Sequence, residues 1–185
     1  MNPPCGARAT VWHWLAAAAL ACPALPAAGQ ISERRLGDTL SFALPATTLG
    51  RELWRGDGAG AGQFTRSFAV TLAATELLKR STAVERPDHS DNLTFPSGHA
   101  SRAFAAATFV HRRHGLSSAW AFYALATYVG YTRVQAQRHS WVDVLGSAGV
   151  AAASSWLLAK PRRDGPAGAS VPSAAILVFI NVPLQ

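Results

Sequence analysis

The chain has 185 residues, a formal charge of +7, 49% hydrophobic residues and only 15% charged ones; it is long enough for one domain with a real core and too apolar to be disordered. It carries no long Lys/Arg run and no nucleic-acid-binding motif, which argues against a nucleic-acid partner and points its basic balance at an anionic substrate or membrane surface. Both cysteines, Cys5 and Cys22, lie within the first 29 residues; the rest of the chain has no disulfide framework, no thiol nucleophile and no cysteine metal site.

Residues 1–29 read as an export signal. A short start with one charge, Arg8, leads into the apolar run "VWHWLAAAALACPAL", too short to span a bilayer comfortably once Pro23 is counted. Small residues in "PAAGQ" place the cut near Ala28 or Gly29, which makes the protein exported, with the periplasm as its compartment. An uncleaved N-terminal anchor is the alternative. A lipid anchor at Cys22 fits less well, because "ALAC" lacks the usual leucine three residues before the cysteine.

The remainder reads as an all-α bundle of five to six helices. A first helix is predicted over 33–54, with Pro45 as a kink. "RGDGAGAG" (55–62) reads as a glycine-rich turn; no Gly-Lys-Ser/Thr follows it, so it is not a phosphate loop. A second helix is predicted over 63–79, where Phe64, Phe68, Leu72 and Leu78 recur at helical spacing. The polar stretch 80–97, with Pro87 and Pro96, is a loop, and a loop this long in a compact domain usually carries function. Helices follow over 98–113, 118–133 and 140–160; the first of these ends in "HRRHG", basic residues and then glycine, and leaves His111 and His114 as helix-end charges. The uncharged stretches 115–132 and 144–159 fall at or below the length of a membrane span, which favours a compact globule with membrane-surface contact. The tail 161–185 is Pro/Gly-rich and then reads "AAILVFINV", a lone strand.

Three stretches carry chemistry: "KRSTAVERP" from Lys79 to Arg86 and Pro87, "PSGH" at 96–99, and "TRVQAQRHSWVD" from Thr132 to Asp143. His139 and Asp143 are four residues apart, which on a helix puts them on one face. An Asp there fixes the imidazole tautomer and leaves the other nitrogen's lone pair free as a nucleophile. Phosphoryl transfer needs little more than positioning and positive charge around the phosphoryl oxygens, and Lys79, Arg86 and Arg133 can supply the charge. Ser97 and Gly98 at a helix N-terminus are natural anion donors. His99 beside them suits an acid poised near neutral pH for the leaving group. His89 and Asp91, in the same loop, could touch substrate.

In order and spacing these stretches resemble the three-part signature of the type 2 phosphatidic acid phosphatase and vanadium haloperoxidase superfamily: Lys-x6-Arg-Pro, Pro-Ser-Gly-His, and Ser-Arg-x5-His-x3-Asp. Thr132 stands where that signature has serine and keeps the hydroxyl. The likeness covers residues 37–159 and is greatest to the small secreted bacterial members. It implies an all-helical core and hydrolysis of a phosphomonoester or pyrophosphate, soluble or lipid, with no metal and no cofactor. By position it implies His139 as nucleophile, Asp143 as its orienting partner and His99 as general acid and then base. Lys79, Arg86, Ser97, Gly98 and Arg133 would hold the phosphoryl group. The rival function it implies is a vanadate-dependent haloperoxidase built on the same anion cage.

Mass spectrometry of exported protein is expected to find an N-terminus near Gln30 and no cysteine; intact residues 1–29 would establish the anchored form instead.

Overall fold

The computed structural model describes residues 25–162, and among them it is an all-α bundle with no strand. The helices are α1 (Leu25–Trp54), α2 (Gly58–Thr82), α3 (Gly98–His114), α4 (Leu116–Gln135) and α5 (Trp141–Leu158). The expected export signal lies outside the described residues except for 25–29, which begin α1. The expected strand near the C-terminus lies wholly outside them.

α3 is the axis and packs against each of the other four helices, while α4 and α5 lie on either side of it and scarcely touch. Its sequence explains this place. Ala100, Ala103, Ala105, Ala106 and Ala107 are all buried, and side chains this small let neighbouring helices approach closely from several directions at once. Phe104 and Val110 fill the space that remains between α1, α4 and α5, with Leu44, Phe122, Val129 and Val144 closing the core. A second cluster, Phe64, Phe109 and Ala159, seals α2 to α3, the two rings meeting edge to face at 5.0 Å.

Four helix starts differ from expectation: α1 begins at Leu25 and not at 33, α4 at Leu116 and not at 118, and for α2 and α5 the caps give the reason. The glycine-rich stretch is a turn only over 55–57, because the Asp57 side chain accepts a hydrogen bond from the Gly60 amide at 2.8 Å and caps α2. Gly60 must be glycine here: a Cβ would collide with Glu52 and Arg113. α5 starts at Trp141, not Ser140, because Ser140 caps it in a reciprocal capping box with Asp143. His139 therefore precedes the helix.

Glu52, Asp57, Arg113 and His114 form a buried polar cluster at the end of the bundle where α1 meets α2 and α3 stops. Arg113 is 7% exposed and Glu52 not at all. The Arg113 guanidinium bonds Glu52 and Asp57 and donates to the Lys160 carbonyl at 3.2 Å, while His114 Nε2 lies 2.7 Å from Glu52. His114 is thus locked into the interior and is not a loose helix-end charge. His111 likewise meets the Tyr123 hydroxyl at 3.1 Å and sits edge-on to Trp156.

Removing one partner from a buried ion cluster strands the others, a loss of about 3–5 kcal/mol. Arg113→Ala is expected to destabilise the protein by that order in urea unfolding, while the protein that remains folded keeps its anion affinity, because the anion cavity is at the opposite end.

Candidate active site

At that opposite end, chain segments far apart in sequence converge on a cavity of about 300 Å³, lined by Lys79, Arg86, Gly98, His99, Arg102, Arg133, Arg138 and His139. Each arrives by a different route. Lys79 comes from the last turns of α2, which runs on to Thr82 before Ala83 turns left-handed and ends it. Arg86 comes from the loop that follows, where its Nε is held by Asp91 Oδ1 at 2.7 Å. Arg133 is in the last turn of α4, and Arg138 and His139 fill the short connection to α5. Gly98 opens α3 and leaves room for Lys79, whose Nζ would lie 3.4 Å from a Cβ at that position.

Ser97 occupies the N-cap position of α3, yet its hydroxyl makes no capping bond. It is fully buried and its Oγ has no hydrogen-bond partner. Its backbone is tied down instead: Ser147 Oγ donates to the Ser97 carbonyl at 2.9 Å, and the Ser97 amide reaches the Asp143 carbonyl at 3.3 Å. Arg102 Nη1 and His139 Nδ1 are also buried without partners. Buried polar atoms are nearly always paired, so the unpartnered Ser97 Oγ and Arg102 Nη1 beside a cationic cavity suit an acceptor-rich anion, while His139 Nδ1 faces Asp143.

The cavity crowds five cationic side chains with two imidazoles, and among the described residues no carboxylate lines it. Burial, reinforced by Arg133 and Arg102, holds His99 down to about 4, against the opposing pull of Asp38. Burial also brings His139 to about 4; Asp143 opposes this, and Arg86 and Lys79 add to it. Burial lowers Lys79 as well. Both imidazoles are therefore neutral at pH 7. That suits His139 as a nucleophile. It does not suit His99 as an acid already poised near neutrality, which was the expectation: burial first, and then the cations around it, disfavour the proton.

His139 and Asp143 do come together, but not as two residues on one helical face. His139 Nδ1 lies 3.7 Å from Asp143 Oδ2, beyond hydrogen-bonding length. The carboxylate is engaged with Ser140, accepting from its amide at 2.6 Å and its hydroxyl at 2.9 Å. The capping turn sets the approach, and a closing of ~0.8 Å would complete the bond.

The sequence model of the PAP2 superfamily matches residues 60–164, more than half of the chain. The chain belongs to the PAP2 superfamily. A lipid A 1-phosphatase of Porphyromonas gingivalis is 41% identical over 68 residues, an alignment covering 35% of this chain and 15% of that protein. The chain thus spans a small part of that relative's length. No solved structure matches significantly.

The PAP2 signature positions divide by depth. Lys79, Arg86, Gly98, His99, Arg133 and His139 line the cavity, while Ser97 and Asp143 are buried behind it. Three more residues bear on the site without having been singled out. Arg102 is one turn after Gly98 and His99 on α3, so helical spacing could have found it. Arg138 looked like part of a polar connection, although it adjoins His139. Asp38 of α1 pairs with Arg133 Nη1 at 2.8 Å and His99 Nε2 at 3.1 Å, and no local pattern announces it. His89 and Asp91 take structural contacts: His89 lies 2.7 Å from Glu85 at the surface, and Asp91 orients Arg86.

A bound dianion should raise both imidazoles above about 4. Sulfate, a dianion across this range, is therefore expected to bind with proton uptake at pH 6 and more tightly as pH falls from 7 toward 5. Calorimetry in two buffers of different ionisation enthalpy measures the uptake; pH-independent binding without it would contradict the depressed values.

Proposed function

We propose that this protein is a phosphatase that hydrolyses a phosphomonoester or pyrophosphate, with lipid phosphates as the favoured substrate class, through a phosphohistidine on His139. The observation that carries this is the cavity itself: five cations, two imidazoles and no lining carboxylate, beside the unpartnered Ser97 Oγ and Arg102 Nη1. Superfamily membership and the lipid A 1-phosphatase relative support the reaction class.

The geometry suggests the following course. Lys79, Arg86, Arg102 and Arg133 spread positive charge around the phosphoryl oxygens, with Ser97 Oγ and the first amides of α3 as further donors. Bound negative charge raises His99, which takes up a proton. The His139 Nε2 lone pair attacks phosphorus, the bond to the leaving oxygen breaks, and His99 protonates that oxygen. Asp143 closes on Nδ1 and steadies the charge that develops on the ring. Neutral His99 then accepts a proton from water as the water oxygen attacks phosphorus, the P–N bond breaks, and phosphate leaves. The donors are side chains and amides throughout, so the course requires no metal or cofactor; among the described residues no three His, Cys, Asp or Glu side chains are grouped to hold a metal ion.

A lipid substrate is favoured by what flanks the site. Trp141, Val142 and Leu145, in the first turns of α5, are 47%, 67% and 69% exposed. They begin an apolar face on α5 that continues to Trp156 and Leu157. α5 is also long and apolar enough to cross a membrane, with mean hydropathy 1.3 and a third of its length buried. A phosphate cage beside exposed tryptophan, valine and leucine suits a headgroup held in the cavity while its chains remain at a membrane surface. Such contact, on the exported side of the inner membrane, is part of the proposal, as are cleavage of residues 1–29 and a helical domain over 30–160.

Phosphate release from lipid and soluble substrates is expected to survive a strong chelator and to be inhibited by vanadate. Loss with chelator and recovery with a divalent ion would overturn the metal-free course; vanadate- and peroxide-dependent halide oxidation without phosphatase activity would establish the haloperoxidase instead. His139→Ala should abolish turnover on every substrate. His99→Ala should lose up to ~100- to 10,000-fold on an alkyl phosphate and clearly less on an aryl phosphate, whose leaving group needs little protonation. Equal losses on both substrates would make His99 a phosphate-binding group alone.

A further inference from the structure

α1 reaches the site from outside the stretch that the superfamily model matches, and it does so along one face. Asp38 meets His99, and Phe42, one turn later, lies under the Arg102 guanidinium at 4.7 Å. Gly37 allows the approach, since a Cβ there would overlap Thr132 Oγ1 and stand 3.1 Å from Arg133 Nη2. A single oxygen, Asp38 Oδ1, lies 2.8 Å from Arg133 Nη1 and 3.1 Å from His99 Nε2. The Arg34 carbonyl accepts from Arg133 Nη2 at 3.0 Å. Asp38 does not line the cavity; it grips two of the lining groups from outside.

We infer that Asp38 is a positioning residue of the reaction: it orients Arg133 and, by engaging His99 Nε2, sets the proton affinity and the working tautomer of the imidazole. The inference rests on the phosphatase reading for its kinetics and on geometry alone for its titration. Asp38 stands 3.1 Å from Nε2, which favours a proton on that nitrogen and leaves Nδ1 to carry the transferable one. The charges bearing on His99 come from every side: Asp38 of α1, Lys79 of α2, Arg102 of α3 and Arg133 of α4. Arg86, Arg138 and His139 share its cavity. Asp38 is the carboxylate in this set and opposes the cations. Without it, a bound dianion would have to raise His99 unaided. The same pair restrains Arg133, whose Nε also reaches Thr132 Oγ1 at 3.4 Å, the hydroxyl kept where the signature has serine.

The experiment compares the full-length protein with Asp38→Asn and Asp38→Glu. Asp38 is half exposed, so its side chain can be changed with little cost to folding, and unfolding curves verify this. NMR titration of the His99 ring with sulfate bound is the first measurement. An opposite charge at this range shifts a pKa by ~1 unit or more, so the His99 midpoint should fall by about that much in Asp38→Asn and recover in part in Asp38→Glu. Kinetics are the second measurement. The alkaline limb of kcat should move to lower pH by the same ~1 unit, with a loss of ~10-fold on an alkyl phosphate at pH 7 and less on an aryl phosphate. An unmoved His99 midpoint overturns the inference. Tighter sulfate binding in Asp38→Asn with an unchanged pH profile also overturns it, since the carboxylate would then merely compete for the cage. If the wild-type protein hydrolyses no phosphate ester, the phosphatase reading fails on its own, and the NMR titration still decides whether Asp38 governs His99.

Discussion

Repulsion among like charges shapes the working end of this bundle. At an effective dielectric of about 20, two unit charges ~6 Å apart repel by ~3 kcal/mol. Five cationic side chains around one small cavity carry that cost several times over. The fold offsets it with carboxylates outside the cavity: Asp91 behind Arg86, Asp38 behind Arg133, and Asp88, 3.3 Å from Arg138. This arrangement neutralises in part, fixes orientation, and leaves the inner surface positive. The low proton affinity of both imidazoles follows from burial in the same field.

Holding such a site requires a scaffold that does not yield. The alanine-rich axis of α3 brings four helices into direct register with it, and the Glu52–Asp57–Arg113–His114 cluster pins the far end. Ser147 ties α5 to the N-cap of α3, its one hydroxyl proton shared between the Ser97 carbonyl at 2.9 Å and the Asp143 carbonyl of its own helix at 2.8 Å. The two histidines proposed for chemistry thus stand on segments whose separation is fixed by buried hydroxyl bonds.

Much of this was legible in the sequence because the signals were local. Helical periodicity located all five helices to within a few residues at most ends, and motif spacing singled out six residues that line one cavity. The illegible parts depend on contacts between distant segments. Asp38 meets His99 across 61 positions of sequence, and Glu52 meets Arg113 at the same separation. Nothing near either acid distinguishes it from a solvated charge. Glycine-rich composition suggested a longer turn than exists, because Gly60 serves close packing inside a helix. His139 seemed to share a helical face with Asp143, because periodicity cannot see that a serine between them caps the helix.

The capping box at the start of α5 gives Asp143 two duties at once. Its carboxylate completes the first turn of the helix through Ser140, and in the proposed reaction it is also the group behind His139. Truncating this side chain would break the capping box and leave the Ser140 amide, next to the imidazole in sequence, without its acceptor. An alanine scan would therefore record helix fraying and lost catalysis as one number at this position. Asparagine separates them, since it keeps an oxygen for the Ser140 amide and gives up only the charge. The grammar of helix initiation and the grammar of the reaction are spelled here with the same letter.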